Sequence, residues 1–201
     1  MRLRPMNSRF RPFPLAVAGL LLAQIAFSTA EATSYEAPLP VRLSTDPDLC
    51  AYAPCREVVD ADRFSHRMGR PSYVEAYKTE AGKKRLAGYV FLSTDIVDIP
   101  AYSGKPVVTL LGMDTKGIIT GVKILKHSEP ILLVGIPEGE LTKFTKQYVG
   151  KFVGDKITIG KARAGEGFIG VDAISGATVT VIAENQVILR SGYNIAKQTG
   201  I

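Results

Sequence analysis

Apolar and polar residues alternate from Tyr73 to Tyr77, break at Glu80-Ala81-Gly82, and resume from Leu86 to Leu92. This pattern predicts two strands joined by a turn, with Gly88 as a weak point in the second. Val107 to Leu111 is apolar enough for a buried strand. Asp114-Thr115-Lys116-Gly117 then reads as a hairpin turn, and Ile118 to Leu125 as the returning strand. On that strand Ile118, Thr120, Val122 and Ile124 face one way and are the better suited to a core. Ile119, Gly121, Lys123 and Leu125 face the other.

The period changes after residue 138. Leu141, Phe144, Tyr148 and Phe152 fall on one helical face, which predicts a helix from about Gly139 to Lys151 that stops near Gly150. Phe168 to Ala173 is a short strand candidate. Beyond it Val181/Ile182, Ile188/Leu189 and Ile195/Ala196 recur every seven residues and mark a second helix. Hairpins followed by segregated helices indicate an α+β fold, an antiparallel sheet with helices packed on it.

Upstream of Asp60 the periodicity is lost. Residues 31–60 hold Pro38, Pro40, Pro47 and Pro54 and read as an irregular segment, with the folded domain over 61–201. Cys50 and Cys55 sit in this segment and are a candidate disulfide if the chain is exported. Export is expected from residues 1–30. Arg2, Arg4, Arg9 and Arg11 precede the apolar run from Phe13 to Phe27, and Ser28-Thr29-Ala30 offers a cleavage site before Glu31. An uncleaved N-terminal anchor is the alternative. The leader also changes the meaning of the net charge of +6. Without its four arginines, 21 basic residues face 19 acidic ones, a balance of +2. No nucleic-acid surface is implied.

The segment richest in chemistry is Asp172 to Thr180. It joins a strand end to a helix start through Ser175-Gly176-Ala177-Thr178. Such a junction offers backbone N–H groups and the positive end of a helix dipole to an anion. Gly176 and Ala177 leave room for a phosphate, and Ser175, Thr178 and Thr180 add hydroxyls. A plain N-cap by Ser175 explains the same residues. His127-Ser128-Glu129-Pro130 ends the hairpin, and Ser103-Gly104-Lys105-Pro106 precedes it. His127 and Glu129 alone make weak acid–base candidates. A hydrolase with Ser175 as nucleophile lacks the Gly-x-Ser-x-Gly elbow.

Taken in order, Tyr102-Ser103-Gly104, the Asp114–Gly117 turn, His127 to Pro130, and Asp172 to Thr180 resemble a known family. It is the FMN-binding domain shared by the NqrC and RnfG subunits of ion-translocating redox pumps and by NosR-type regulators. The stretches from Phe91 to Tyr102 and from Glu129 to Glu138 are most similar to the NosR-type branch. The resemblance implies FMN esterified through its phosphate to Thr178. Asp172, Ser175, Gly176 and Ala177 would be the motif read by a separate flavin transferase that uses FAD and Mg²⁺. Thr180, His127 and Glu129 complete the implied cofactor site, with no metal. The implied role is that of a periplasmic electron carrier supporting nitrous oxide reductase in denitrification, not a stand-alone enzyme. Its redox partner would be that reductase or a membrane quinol or iron–sulfur module. A non-redox sensory or interaction module of a membrane-associated regulator is the alternative. NosR-type proteins continue into transmembrane helices and cysteine-rich segments that these 201 residues do not contain.

Overall fold

The computed structural model describes residue 43, residues 45–160 and residues 167–201. The expected leader and its cleavage site lie outside the described residues. Five antiparallel strands form the main sheet in sequential order: β1 (Arg63–Phe64), β2 (Val74–Glu80), β3 (Lys83–Leu92), β4 (Val108–Asp114) and β5 (Ile119–Lys126). The α-helices among the described residues are α1 (Leu49–Tyr52), α2 (Gly139–Lys146) and α3 (Thr178–Thr199). Sheet and helices together give the α+β arrangement expected from the pattern. Two short strands, β6 (Ile157–Ile159) and β7 (Ile169–Val171), pair in parallel apart from the main sheet.

Both faces of the sheet are covered. Tyr89, Phe91, Leu111 and Met113 pack under α2 and α3 against Leu141, Phe144, Val181, Ile188 and Ile195. Val74, Ala76, Val90, Leu92 and Leu110 pack instead against Leu43, Leu49, Val58 and Val59. Two-sided burial is why β4 reads as a continuous apolar run and not as an alternation. The stretch expected to be irregular up to residue 60 thus supplies one wall of the core. It approaches so closely that a Cβ on Gly112 would lie 2.1 Å from the Val58 carbonyl oxygen, and one on Gly121 2.4 Å from the Val58 Cα. Only glycine fits at those two strand positions.

Cys50 and Cys55 are joined by a disulfide within this wall. Replacing both with Ser is expected to lower stability by about 2 kcal/mol, from the entropy of closing so short a loop. Chemical denaturation of the double variant, with and without reductant, measures it. Equal midpoints for wild type and variant would show that packing alone holds the segment.

The strand facing expected for 118–125 is corrected by a β-bulge. Gly121 pairs with Gly112 but Ile119 pairs with Met113, so Thr120 is an extra residue. The bulge resets the alternation. Ile119, Val122 and Ile124 therefore share the helix-covered side, while Thr120 donates to the Val58 carbonyl at 2.6 Å. The α2 helix is also shorter than its periodicity suggested. It ends at Lys146, and hydrogen-bonded turns carry the chain on to Gly150, where φ is 85°. Phe152 is exposed and does not extend the buried stripe.

Candidate functional site

Three segments meet at the N-terminal end of α3. The first is the turn from Ala101 to Lys105, bracketed by Pro100 and Pro106 and closed by the Ala101 N–H donating to the Lys105 carbonyl at 3.0 Å. The second runs from His127 through the single turn Leu132–Val134. The third is Asp172 to Thr180.

Glu129 fastens them together. Its buried carboxylate accepts the Tyr102 N–H at 3.1 Å, the Ser103 N–H at 2.9 Å and the Thr180 hydroxyl. A carboxylate serving three donors recovers much of the hydration it loses on burial. Its own N–H donates to Nδ1 of His127 at 3.2 Å. His127 is buried as well, and burial lowers its imidazole pKa against the opposing pull of Glu138 and Glu129. Its Nε2 stands 3.9 Å from a Glu138 oxygen. Both residues are expected at the cofactor from the resemblance; in the structure both hold backbone, Glu129 that of the 101–105 turn and His127 that of Glu129 itself. Glu129→Gln is expected to cost about 2 kcal/mol, because a neutral amide replaces charge-assisted bonds. Thermal melts report it, and an unchanged melting temperature would contradict the bracing role.

The segment from Asp172 to Thr180 is held at its start by Gln147. That side chain accepts the Asp172 N–H at 2.7 Å and donates to the Asp172 carbonyl at 3.1 Å. Asp172 and Ser175 are themselves exposed. The chain then turns through Gly176, whose φ of 82° suits glycine. Ala177 is the N-cap of α3, with no side-chain cap. Ser175, which could have capped the helix, does not. The first N–H groups of α3 have no acceptor within the helix. They lie in the wall of a pocket of about 220 Å³.

One wall of that pocket is Gly176 to Thr180, and the other is Tyr102, Pro130, Ile131 and Val134. Of the expected site residues, Gly176, Ala177, Thr178 and Thr180 therefore come together. Asp172, Ser175, His127 and Glu129 do not line the pocket. Thr178 is exposed, whereas Thr180 is buried and committed to Glu129. The second wall is apolar yet open, with Tyr102 at 66% and Val134 at 65% exposure. Pattern reading left it out of the site because single exposed apolar residues are common on surfaces. An uncapped helix start beside an apolar wall fits a ligand with a phosphate and a flat, hydrophobic ring system.

Residues 102–190 match the family model of the FMN-binding domain. They belong to that family. The matched stretch begins at Tyr102 on one pocket wall and runs past the other. The FMN-binding domain here is similar to the regulatory protein NosR of Pseudomonas aeruginosa, 35% identical over 135 residues, 67% of this chain and 19% of NosR. NosR of Stutzerimonas stutzeri is 38% identical over 116 residues, 58% of this chain and 16% of that protein. An ion-translocating oxidoreductase complex of Shewanella baltica contains a similar subunit, 28% identical over 131 residues, 64% of this chain and 56% of that protein. The chain thus spans a fifth or less of the two NosR proteins. Membership in the family supports a flavin-binding role linked to electron transfer or regulation. No helix among the described residues is long and apolar enough to cross a membrane.

Proposed function

We propose that this chain is an exported flavoprotein domain that carries FMN as a phosphoester on Thr178. It passes electrons in a NosR-like role that supports nitrous oxide reductase. The observation that carries the attachment site is the position of Thr178. Its side chain is exposed in the pocket wall, at the uncapped first turn of α3. A phosphodiester keeps one negative charge, which a helix N-terminus favours by about 0.3–1 kcal/mol. The bound flavin supplies the redox chemistry, and the protein supplies attachment and orientation. Gly176 leaves space at the phosphate, since a Cβ there would find only the Ile136 side chain, at 3.4 Å. Tyr102, Ile131 and Val134 offer the ring an apolar face.

A flavin transferase drawing on FAD and Mg²⁺ is the maturation partner in this reading. The leader at 1–30 delivers the chain to the periplasm, where the electron partner is nitrous oxide reductase or a membrane quinol or iron–sulfur module. Intact mass and visible absorbance of protein co-produced with a transferase test the reading. A mass increase of one FMN, less water, is expected. An unmodified, colourless protein would leave the sensory or interaction module as the better description.

A further inference from the structure

Glu184 stands out on α3. The helix buries Val181, Ile188 and Ile195, and Glu184 lies fully buried in that same stretch. Its Oε1 accepts the Thr109 hydroxyl at 2.7 Å, and its Oε2 has no hydrogen-bond partner among the described residues. Thr180 precedes it by four residues, which places the two side chains on one helix face, roughly 5–6 Å apart at Cβ. Thr180 lines the pocket and donates to Glu129. Two buried carboxyl groups thus flank the first turn of α3, with Glu184 one turn below the pocket.

The groups that face Glu184 come from each element around it. Thr109 reaches it from β4, Glu129 acts on it from the segment after β5, and Tyr148 is influenced by it from beyond α2. Among the described residues no cation forms an ion pair with it. A buried carboxyl with no counter-charge responds strongly to charge that appears nearby.

We propose that Glu184 is a proton acceptor coupled to reduction of the flavin. When an external donor adds an electron, and so one negative charge, at the pocket, the Glu184 carboxylate takes one proton from solvent. The carboxylate becomes a carboxylic acid and the net charge of the site is unchanged. This rests on the flavin reading above. The supporting chemistry is that burial pushes the Glu184 carboxyl up to about 7, Glu129 adds to the rise, and the Thr109 bond opposes it. Above that pH Glu184 is ionised before reduction and able to accept a proton. Well below it Glu184 is protonated throughout, and the coupling vanishes.

The test uses the full chain, flavin-loaded by a co-produced transferase and reduced with dithionite. Oxidised-minus-reduced infrared spectra are recorded across the pH range in which a raised carboxyl titrates. The expected result is a carboxylate-to-carboxylic-acid signal on reduction that fades as the pH falls below about 7. Glu184→Gln should lose the signal. Thr109→Val removes the bond that favours the ionised form, and should move the fading point to higher pH while keeping the signal. The same signal in Glu184→Gln, or a flavin-loaded wild type with no such signal, overturns the inference and leaves the flavin reading intact. A wild type that takes up no flavin overturns both.

Discussion

Thr178→Ala protein made with an active flavin transferase is expected to fold normally and to lose all flavin fluorescence after denaturing electrophoresis. The side chain is exposed, and no hydrogen bond of its hydroxyl is seen among the described residues. Truncating it leaves no buried cavity and no orphaned partner. The cost in stability should stay within about 0.5 kcal/mol, as for ordinary surface substitutions. The effect on attachment is all or none, because a phosphoester needs the oxygen that alanine lacks. Geometry also ranks the competing hydroxyls. Thr180 is buried and donates to Glu129, so attachment there would break the link that joins three segments. Ser175 is exposed and is the control that matters. Thr178→Val keeps the branched shape without the hydroxyl and should behave as Thr178→Ala. Peptide mass mapping completes the test. Flavin retained by Thr178→Ala, or its mass on Ser175, moves the attachment site and ends the Thr178 assignment.

The strands and the long helix were legible because their periods are strong. The strand-forming runs around residues 74–80 and 86–92 alternate or stay apolar, and the heptad spacing of Val181, Ile188 and Ile195 describes the buried face of α3. The reading slipped where a single residue changes the register. The bulge at Thr120 turns one strand face over, and no local composition announces it. The N-terminal wall was missed because short irregular segments bury apolar groups without any period. Leu49, Val58 and Val59 are spaced for neither helix nor strand, yet all are buried. The parallel pairing of β6 with β7 depends on residues brought together from either side of 161–166, and a pattern search sees only each three-residue piece.

The site was half legible for a related reason. Residue type identified the small-residue turn and its hydroxyls, but not which of them face the pocket. The resemblance, not the residue pair alone, is what implies Glu129 at the cofactor. Its carboxylate is taken up by two backbone N–H groups and the Thr180 hydroxyl. Glu184 carried a signal that went unused. A carboxylate between the apolar positions Val181 and Ile188 of the buried helical face violates the amphipathic pattern, and such violations mark places where stability has been given up for something else.

The stability lost at Glu184 can be measured directly. In the unfolded chain this carboxyl titrates near 4.5, whereas in the folded protein burial raises it to about 7. Between those values the folded state holds a proton that the unfolded state has released. A group raised in this way contributes its full share of stability below the unfolded value and loses it as the pH rises through the folded one. The difference corresponds to about 3 kcal/mol, at roughly 1.4 kcal/mol for each pH unit. Glu184→Gln carries no proton to lose, so it should follow wild type near pH 4.5 and gain on it by about that amount once the pH passes 7. Other acidic groups titrate in both proteins, so the informative quantity is the difference between variant and wild type. Urea denaturation of the flavin-free proteins at several pH values supplies it, and keeps the result independent of attachment at Thr178. A gap that stays constant across the range would mean that Glu184 titrates alike in the folded and unfolded chains, and the buried carboxyl would then have no proton to exchange near neutrality.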